Sequence, residues 1–289
     1  MKKYGGGESW YKSETPQHEE KSITRAYLIG KYPVTNAQYN AFVQAGGYAN
    51  AQYWQEAIAH KYWKDGKFKG RWDDDWRIGA YNFGAPFNLD NHPVVGVSWY
   101  EAVAFCRWLT EKFRIADFRF QIENNRDEKM KSEIKNLKFE IRLPTEAEWE
   151  KAARGPSTPL RSAQDSTHAQ DARIFPWNGQ LTPQHANYSE TKIGATSAVG
   201  IFPAGASPYG LLDASGNVWE WCSTKWIENY KGYDKKIKER EGLEGDDLRV
   251  LRGGAFGSVS NHVRAASRYG ADSYHRYRFI GFRVVASLL

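Results

Sequence analysis

Cysteine is almost absent from this chain of 289 residues, which contains only Cys106 and Cys222. Two cysteines without a visible secretory leader do not make a disulfide framework, so we expect two free, buried thiols. No apolar run reaches the roughly 18 residues of a membrane-spanning helix. The N-terminal residues also lack the apolar stretch of a signal peptide. We therefore expect no membrane span and favour a cytoplasmic location.

Linkers rich in proline, glycine or serine are absent too, so we expect a single domain over residues 1–289. Two segments of mixed charge, at about 114–140 and 228–247, carry few apolar residues and are interpreted as exposed insertions. The net charge of +6 is spread along the sequence and does not indicate a specific nucleic-acid partner. We expect a monomer.

The C-terminal segment lacks five residue types. Between Arg252 and Arg283 there is no Lys, Glu, Gln, Trp or Met, although Trp alone occurs twelve times in the chain. The segment is rich in Tyr, His, Ser, Asn, Gly and Arg instead. It is too polar and irregular for a core strand and too aromatic for a solvated loop. This composition is typical of a recognition surface on a rigid scaffold.

Capping boxes predict three helices, which begin near residues 35, 98 and 145. In each, a Ser or Thr is followed three residues later by Gln or Glu, ahead of an apolar stripe. Short strands are predicted at residues 26–29, 94–97, 249–251 and 281–286, and the rest of the chain is punctuated by glycine, proline and asparagine.

Six motifs occur in a fixed order. They are GKYPVTN at 30–36, PVVGVSW at 93–99, RLPTEAEWE at 142–150, GNVWEW at 216–221, RGG at 252–254 and GFR at 281–283. From about Tyr27 to Val285 they resemble the formylglycine-generating-enzyme (sulfatase-modifying factor) superfamily. The resemblance implies an α+β fold of the C-type lectin type, in that superfamily's subtype. Such a fold has short strands, about three helices and many loops.

The enzyme of that family oxidises a substrate cysteine with two cysteines of its own, which follow the Arg-Gly-Gly motif. The matching segment here, residues 255–263, contains no cysteine, and serine or valine cannot supply a thiolate. We therefore predict that the chain is not an enzyme and has no catalytic cofactor. Two alternatives stay open: an oxidoreductase of this type or another enzyme with a displaced active site, and a degenerate structural domain.

The segment is also similar to the variable region of proteins that diversity-generating retroelements diversify. Those systems mutate adenines in a template rich in asparagine codons, which cannot yield the five missing residue types. The resemblance implies that a fixed frame alternates with variable positions, which bind a macromolecular ligand, foremost a protein. A nearby reverse transcriptase and a near-identical repeat of the coding segment would accompany such a system.

The frame consists of Arg252, Gly253, Gly254, Arg264, Ala265, Ala266, Arg268, Arg276, Ile280, Gly281, Phe282 and Arg283. The predicted ligand-binding positions, within about 255–279, are Gly257, Ser258, Val259, Asn261, His262, Ser267, Tyr269, Gly270, Ala271, Asp272, Tyr274, His275, Tyr277, Arg278 and Phe279. We expect their aromatic, histidine and arginine side chains to form one exposed patch. The patch should be flat or shallowly grooved, without a titratable pair at its floor.

Candidate metal ligands are Asp213, Gly216, Val218 and Glu220, which match a calcium site of the family's enzyme. The match implies a structural Ca²⁺ held by two carboxylates and two backbone carbonyls; the alternative is a turn cap and a salt bridge.

Two further groups are interpreted more simply. His262, Asp272 and His275 have the composition of a 2-His-1-carboxylate site but not a ligand spacing that supports it. The acidic run between Trp72 and Trp76 has the composition of a cation site or a catalytic carboxylate pair, but it is interpreted as a solvated turn flanked by anchored tryptophans.

Overall fold

The structure is a computed structural model that describes residues 12–14, 23–124, 139–155, 173–231 and 237–288. Its fold is of the predicted α+β class. The helices are Asn36–Gln44 (α1), Gln55–Ala59 (α2), Trp99–Asn124 (α3), Glu146–Arg154 (α4) and Ile237–Arg240 (α5). The strands are Tyr27–Ile29 (β1), Trp63–Lys64 (β2), Lys67–Phe68 (β3), Phe139–Arg142 (β4), Trp219–Lys225 (β5), Leu248–Arg252 (β6), Arg268–Asp272 (β7), Ile280–Gly281 (β8) and Val285–Leu288 (β9).

Two sheets hold the C-terminal segment at both ends. The four-stranded sheet has the order β7-β6-β5-β8, with β5 and β8 parallel and the other pairs antiparallel. The chain leaves β6, returns beside it as β7, and then re-enters the same sheet on the opposite side of β5, as β8. Immediately afterwards β9 enters the second sheet, between β1 and β4. This topology fixes both ends of residues 253–279.

All three predicted capping boxes form. The Thr35 and Thr145 hydroxyls accept hydrogen bonds from the backbone of Gln38 and Glu148, whose side chains accept from the threonine amides in return. At the start of α3, the Ser98 amide donates to the Glu101 carboxylate at 2.8 Å and the Glu101 amide donates to the Ser98 hydroxyl. Helices α1, α3 and α4 therefore begin where the sequence indicates.

The main core is aromatic and lies between α1, α3 and the end of the chain. Tyr39 and Phe42 of α1 pack against Phe105 of α3, with ring centroids 5.8 and 5.9 Å apart. Phe282 packs against Phe105 at 5.4 Å and is fully buried. The aromatic residue of the Gly-Phe-Arg motif therefore anchors the C-terminal segment in the core.

The strand predictions are right in part. Residues 94–97 form no strand, because Gly96 exchanges backbone hydrogen bonds with two loop residues, Tyr81 and Tyr277. The predicted strand at 281–286 is interrupted, since Phe282 and Val284 accept from Val34 and Gly30 instead of a sheet partner. The central strand β5 was missed because its buried run, WEWCSTK, does not alternate between apolar and polar residues.

The two charged segments are described to different extents. In the first, α3 continues to Asn124 and β4 starts at Phe139, while residues 125–138 lie outside the described residues. In the second, the Tyr230 and Arg240 side chains are buried against the Glu146 carboxylate. These two side chains are exceptions to the predicted exposure, because a carboxylate distant in the sequence compensates their burial. Within the described ranges, no helix combines the length and apolarity needed to cross a bilayer.

Candidate ligand-recognition surface

The frame of the C-terminal segment is held by buried ion pairs. Both Glu146 oxygens accept hydrogen bonds from Arg268, at 2.6 and 2.9 Å, and Arg252 donates to the same carboxylate at 3.1 Å. All three side chains are at least 98% inaccessible. Burial alone would raise the pKa of Glu146, but Arg268 and Arg252 outweigh it and lower the pKa to about 2. The Glu146 carboxylate is therefore ionised and is shared by the two arginines.

Two further frame arginines have a carboxylate each. Arg276 donates to both oxygens of Glu101, at 2.8 and 2.5 Å. Arg283 donates to both oxygens of Glu220, at 2.5 and 2.7 Å. Paired guanidinium and carboxylate groups of this kind combine charge with fixed geometry. They orient the backbone on both sides of the turn at residues 277–279.

The N-terminal part of the chain contacts the same frame. Arg264 donates to both oxygens of Glu14, at 2.8 and 2.6 Å. The Arg268 guanidinium also donates to the Ser13 carbonyl at 3.0 Å. Residues 12–14 therefore lie against the segment, a contact between residues some 250 positions apart that no local pattern could predict.

The predicted ligand-binding positions differ in exposure. Exposed are Gly257, Val259, Tyr269, Tyr277 and Arg278; partly exposed are Asn261, His262, Gly270, Asp272, His275 and Phe279; buried are Ser258, Ser267, Ala271 and Tyr274. The structure therefore displays eleven of the fifteen positions and buries the other four, of which Tyr274 was predicted to belong to the exposed patch. Whether any of them binds a ligand stays a prediction.

The four buried positions have local reasons. Ser258 accepts a hydrogen bond from the Ala255 amide, and Ser267 donates to the Asn261 carbonyl, so both hydroxyls close turns. Ala271 of β7 is a small side chain packed in the main core. Tyr274 follows the end of β7 and packs on Tyr62 at 5.4 Å.

Aromatic rings form a continuous row along the end of the segment. His275 lies 4.8 Å from both Tyr274 and Tyr277, measured between ring centroids. Tyr277 stacks on Phe279 at 5.1 Å with an interplanar angle of only 6°. Burial lowers the pKa of His275 although Asp272 acts in the opposite direction. The row therefore presents neutral, polarisable surface to the solvent at pH 7.

A shallow cleft of about 390 Å³ runs beside this row. Its lining consists of Trp72, Asp73, Tyr81, Phe83, Tyr274, His275, Arg276 and Tyr277. The acidic run was predicted to be a solvated turn flanked by anchored tryptophans, but Trp72 is 71% exposed and is not anchored in the core. Asp73, however, turns inward and lies 3.5 Å from the Arg276 guanidinium. The floor therefore carries an ion pair that the sequence did not predict.

The second wall of this cleft was not predicted from the sequence. It is formed by residues 72–83, whose aromatic side chains face the C-terminal segment from almost 200 positions away in the sequence. A run with Trp72, Trp76, Tyr81 and Phe83 in a solvated loop is unusual, and that density of rings was the available signal.

The predicted calcium ligands are engaged in other contacts. The Glu220 carboxylate receives Arg283 and also the Trp149 indole N–H, at 2.7 Å. Asp213 accepts from the Gly200 amide at 2.6 Å, and burial raises the pKa of Asp213 to about 6. A carboxylate that is already paired with a guanidinium does not fit the ligand set of a hard cation. The Glu220 contacts match the salt-bridge alternative, and calcium itself stays untested.

Both cysteines are free and buried, as expected. Burial raises the pKa of Cys106 and of Cys222 far above that of an exposed thiol. A thiol that is buried in apolar surroundings stays protonated and is a poor nucleophile. Among the residues that the structure describes, no three His, Cys, Asp or Glu side chains are grouped as a metal site.

Comparisons with known proteins place this fold among relatives. A family model, the sulfatase-modifying factor enzyme 1-like domain, matches residues 3–288. A hercynine oxygenase of Mycobacterium tuberculosis is 30% identical over 90% of this chain and 52% of its own length. The formylglycine-generating enzyme of the same organism is 30% identical over 97% of this chain and 93% of its own. The chain thus spans about half the length of the hercynine oxygenase.

A solved structure, Treponema denticola variable protein 1, superposes with a TM-score of 0.51 at 23% identity, over 90% of this chain and 84% of that one. The predicted C-type lectin-type fold of the formylglycine-generating-enzyme subtype is confirmed. At this identity the likeness concerns the fold alone.

The prediction that the chain is not an enzyme was wrong. Two relatives that align with at least nine-tenths of it are named as enzymes. These names favour the enzymatic alternative over the binding function. The prediction rested on the missing cysteine pair, which concerns one reaction chemistry and not the enzymes of the family as a whole.

Proposed function

We propose that this chain, which belongs to the sulfatase-modifying factor enzyme 1-like domain family, recognises a protein ligand through the side chains displayed by residues 257–279. One observation carries the proposal. The buried arginines of the frame are paired with carboxylates, whereas Tyr269, Tyr277 and Arg278 are exposed. Tyrosine and arginine are the types that contribute most to protein interfaces, and they lie here on a shallow surface.

The separation of frame and display also supports diversification of the segment, as its composition suggests. Substitution is tolerated where a side chain carries little folding energy, and exposed positions change stability by only about 0.5 kcal/mol. Adenine-limited differences between the coding segment and a nearby near-identical repeat would support this origin. A coding segment without such a repeat and without a neighbouring reverse transcriptase would contradict it.

The binding experiment uses a four-site display variant, Val259→Ser, Tyr269→Ser, Tyr277→Ser and Arg278→Ser. Its matched control replaces four exposed side chains outside the segment, Leu28→Ser, Ile193→Ser, Ile201→Ser and Tyr209→Ser. Each form is immobilised and exposed to a cell lysate, and the proteins that it retains are compared by quantitative mass spectrometry. The strongest candidate is then purified and titrated by calorimetry.

We expect the display variant to bind this ligand at least about 100-fold more weakly than the wild type, since each lost anchor removes about 2 kcal/mol. The control should retain wild-type affinity within a factor of about three. Equal affinity of the display variant and the control would overturn the proposal.

The second candidate function is enzymatic, and the 30% identity with a formylglycine-generating enzyme over 97% of the chain favours it. Such an activity would have to use groups other than the two buried thiols, and the lining of the cleft offers His275 and Asp73. Incubation with a cysteine-containing peptide, followed by mass spectrometry, tests this candidate. A mass change that persists in the display variant but disappears with His275→Ala would support an enzyme.

A further inference from the structure

We propose that the cleft between residues 72–83 and 274–277 takes a cationic side chain, arginine or lysine, from the protein ligand. The inference rests on the proposed function and assigns part of its specificity. It gives the loop at residues 72–83 a role in recognition, as a wall that does not belong to the C-terminal segment. The aromatic walls, the charge at the floor and the exposure of the charged groups each favour a cationic group of the ligand.

Aromatic rings make up most of the cleft lining. Trp72 and Tyr277 stand at the rim and are exposed, while Tyr81 and Phe83 lie deeper and are partly buried. The face of such a ring attracts a cation, most strongly for tryptophan. The protein's own side chains show the same preference, since Arg77 lies 4.9 Å from the centroid of Tyr81.

The charges that line the cleft favour a cation over an anion. They are the Asp73 carboxylate and the Arg276 guanidinium, 3.5 Å apart. Arg276 is already paired through two hydrogen bonds with the buried Glu101 behind it. One guanidinium thus lies between two carboxylates, which leaves one negative charge in excess at the floor.

Exposure decides which of the two lining charges a ligand can reach. The Arg276 side chain is 1% exposed, whereas that of Asp73 is 13% exposed. Asp73 uses one oxygen, Oδ2, to accept the Gly70 amide at 2.7 Å. Its Oδ1 accepts no hydrogen bond from the described part of the chain. A guanidinium or ammonium group between Trp72 and Tyr277 would have this oxygen as its acceptor.

Other charges near the cleft do not reverse this balance. Arg71 lies over Trp72 at 5.5 Å and Arg77 over Tyr81, and neither lines the cleft. The neighbouring Asp74 and Asp75 are both exposed on the same turn and offset these two arginines. The excess negative charge at Asp73 is therefore the one that an entering side chain meets.

The test compares two tripeptide probes that differ only in charge, acetyl-Gly-Arg-Gly-amide and its citrulline analogue. Binding is followed through the indole N–H signals in NMR titrations of the full chain, with the Trp72 signal identified by its loss in Trp72→Ala. We expect the arginine probe to bind the wild type at least about tenfold more tightly than the citrulline probe. The Trp72 signal should shift during the titration.

Variants on the same turn provide matched controls. Asp73→Asn keeps an acceptor for the Gly70 amide, and its affinities for the two probes should differ by no more than about twofold. Asp75→Asn should keep the wild-type preference for the arginine probe. Trp72→Ala should weaken binding of the arginine probe. Trp76→Ala should not, because the Trp76 ring lies outside the cleft lining. Unchanged unfolding midpoints establish that each variant is folded.

Equal binding of both probes to the wild type would overturn the inference, as would a preference that survives Asp73→Asn, or a lack of response to either probe. Failure of this inference can be distinguished from failure of the proposed function, because Trp72 and Asp73 are not among the four substitutions of the display variant. If the display variant loses the protein ligand while the probes bind alike, only the cation inference fails. If the arginine probe is preferred but the display variant keeps its ligand, the proposed function fails.

Discussion

Replacing Glu146 with alanine should lower the free energy of unfolding by at least about 3–5 kcal/mol, the usual result of removing one partner of a buried ion pair. The reason is the number of charges that depend on this carboxylate. Arg240, Arg252 and Arg268 all donate to it, and Arg268 has no other carboxylate among its hydrogen-bond partners in the described residues. Domains of this kind are stable by only about 5–15 kcal/mol in total.

Urea denaturation of the wild type, Glu146→Ala and Glu150→Ala measures this effect. Glu150 also pairs with Arg252 but is 28% exposed, so its replacement should cost roughly 1 kcal/mol. If Glu146→Ala does not yield folded protein, Glu146→Gln keeps the volume of the side chain and should still be less stable than Glu150→Ala. A Glu146→Ala protein within about 1 kcal/mol of the wild type would contradict the central role of this carboxylate.

Acid should destabilise the protein through the same group. The pKa of Glu146 is about 2 in the folded state, below its ordinary value of 4.5, because the arginines outweigh the effect of burial. A group with a lowered folded pKa stabilises the protein fully above its unfolded pKa, and this contribution disappears as the pH falls through the folded pKa. The shift corresponds to about 3 kcal/mol, lost between roughly pH 4.5 and pH 2.

The measurement is the free energy of unfolding between pH 6 and pH 2 for the wild type and Glu146→Gln. The uncharged glutamine cannot titrate, so the difference between the two proteins should shrink towards acid pH by about 3 kcal/mol. Other carboxylates lower the stability of both proteins equally and cancel in the comparison. A difference that stays constant over the whole range would mean that Glu146 does not carry this charge in the folded state.

Local signals in the sequence predicted much of the fold correctly. The capping boxes at Thr35, Ser98 and Thr145 depend on residues three apart, and each formed as expected. The buried frame was also predicted from its motifs. In contrast, the carboxylates that hold the frame could not be found, since Glu146 and Arg268 are 122 positions apart in the sequence. Glu101 was recognised as a capping residue, but not as the partner of Arg276.

Within the surface, the sequence did not distinguish displayed from buried positions of similar type. Tyr269 and Tyr274 have the same chemistry and the same predicted role, yet the first is 43% exposed and the second 7%. The difference arises because Tyr274 lies beyond the end of β7 and its ring packs into the main core. Its neighbour in the core, Tyr62, comes from an unrelated part of the chain.

The central claim is that the frame carries the fold while the displayed side chains carry recognition. The free energy of unfolding of the four-site display variant, measured by urea denaturation beside its ligand affinity, tests it most directly. The account predicts a loss of at most about 0.5 kcal/mol per site, together with the loss of ligand binding. A cooperative loss of the fold in this variant, or ligand binding that survives all four substitutions, would contradict it.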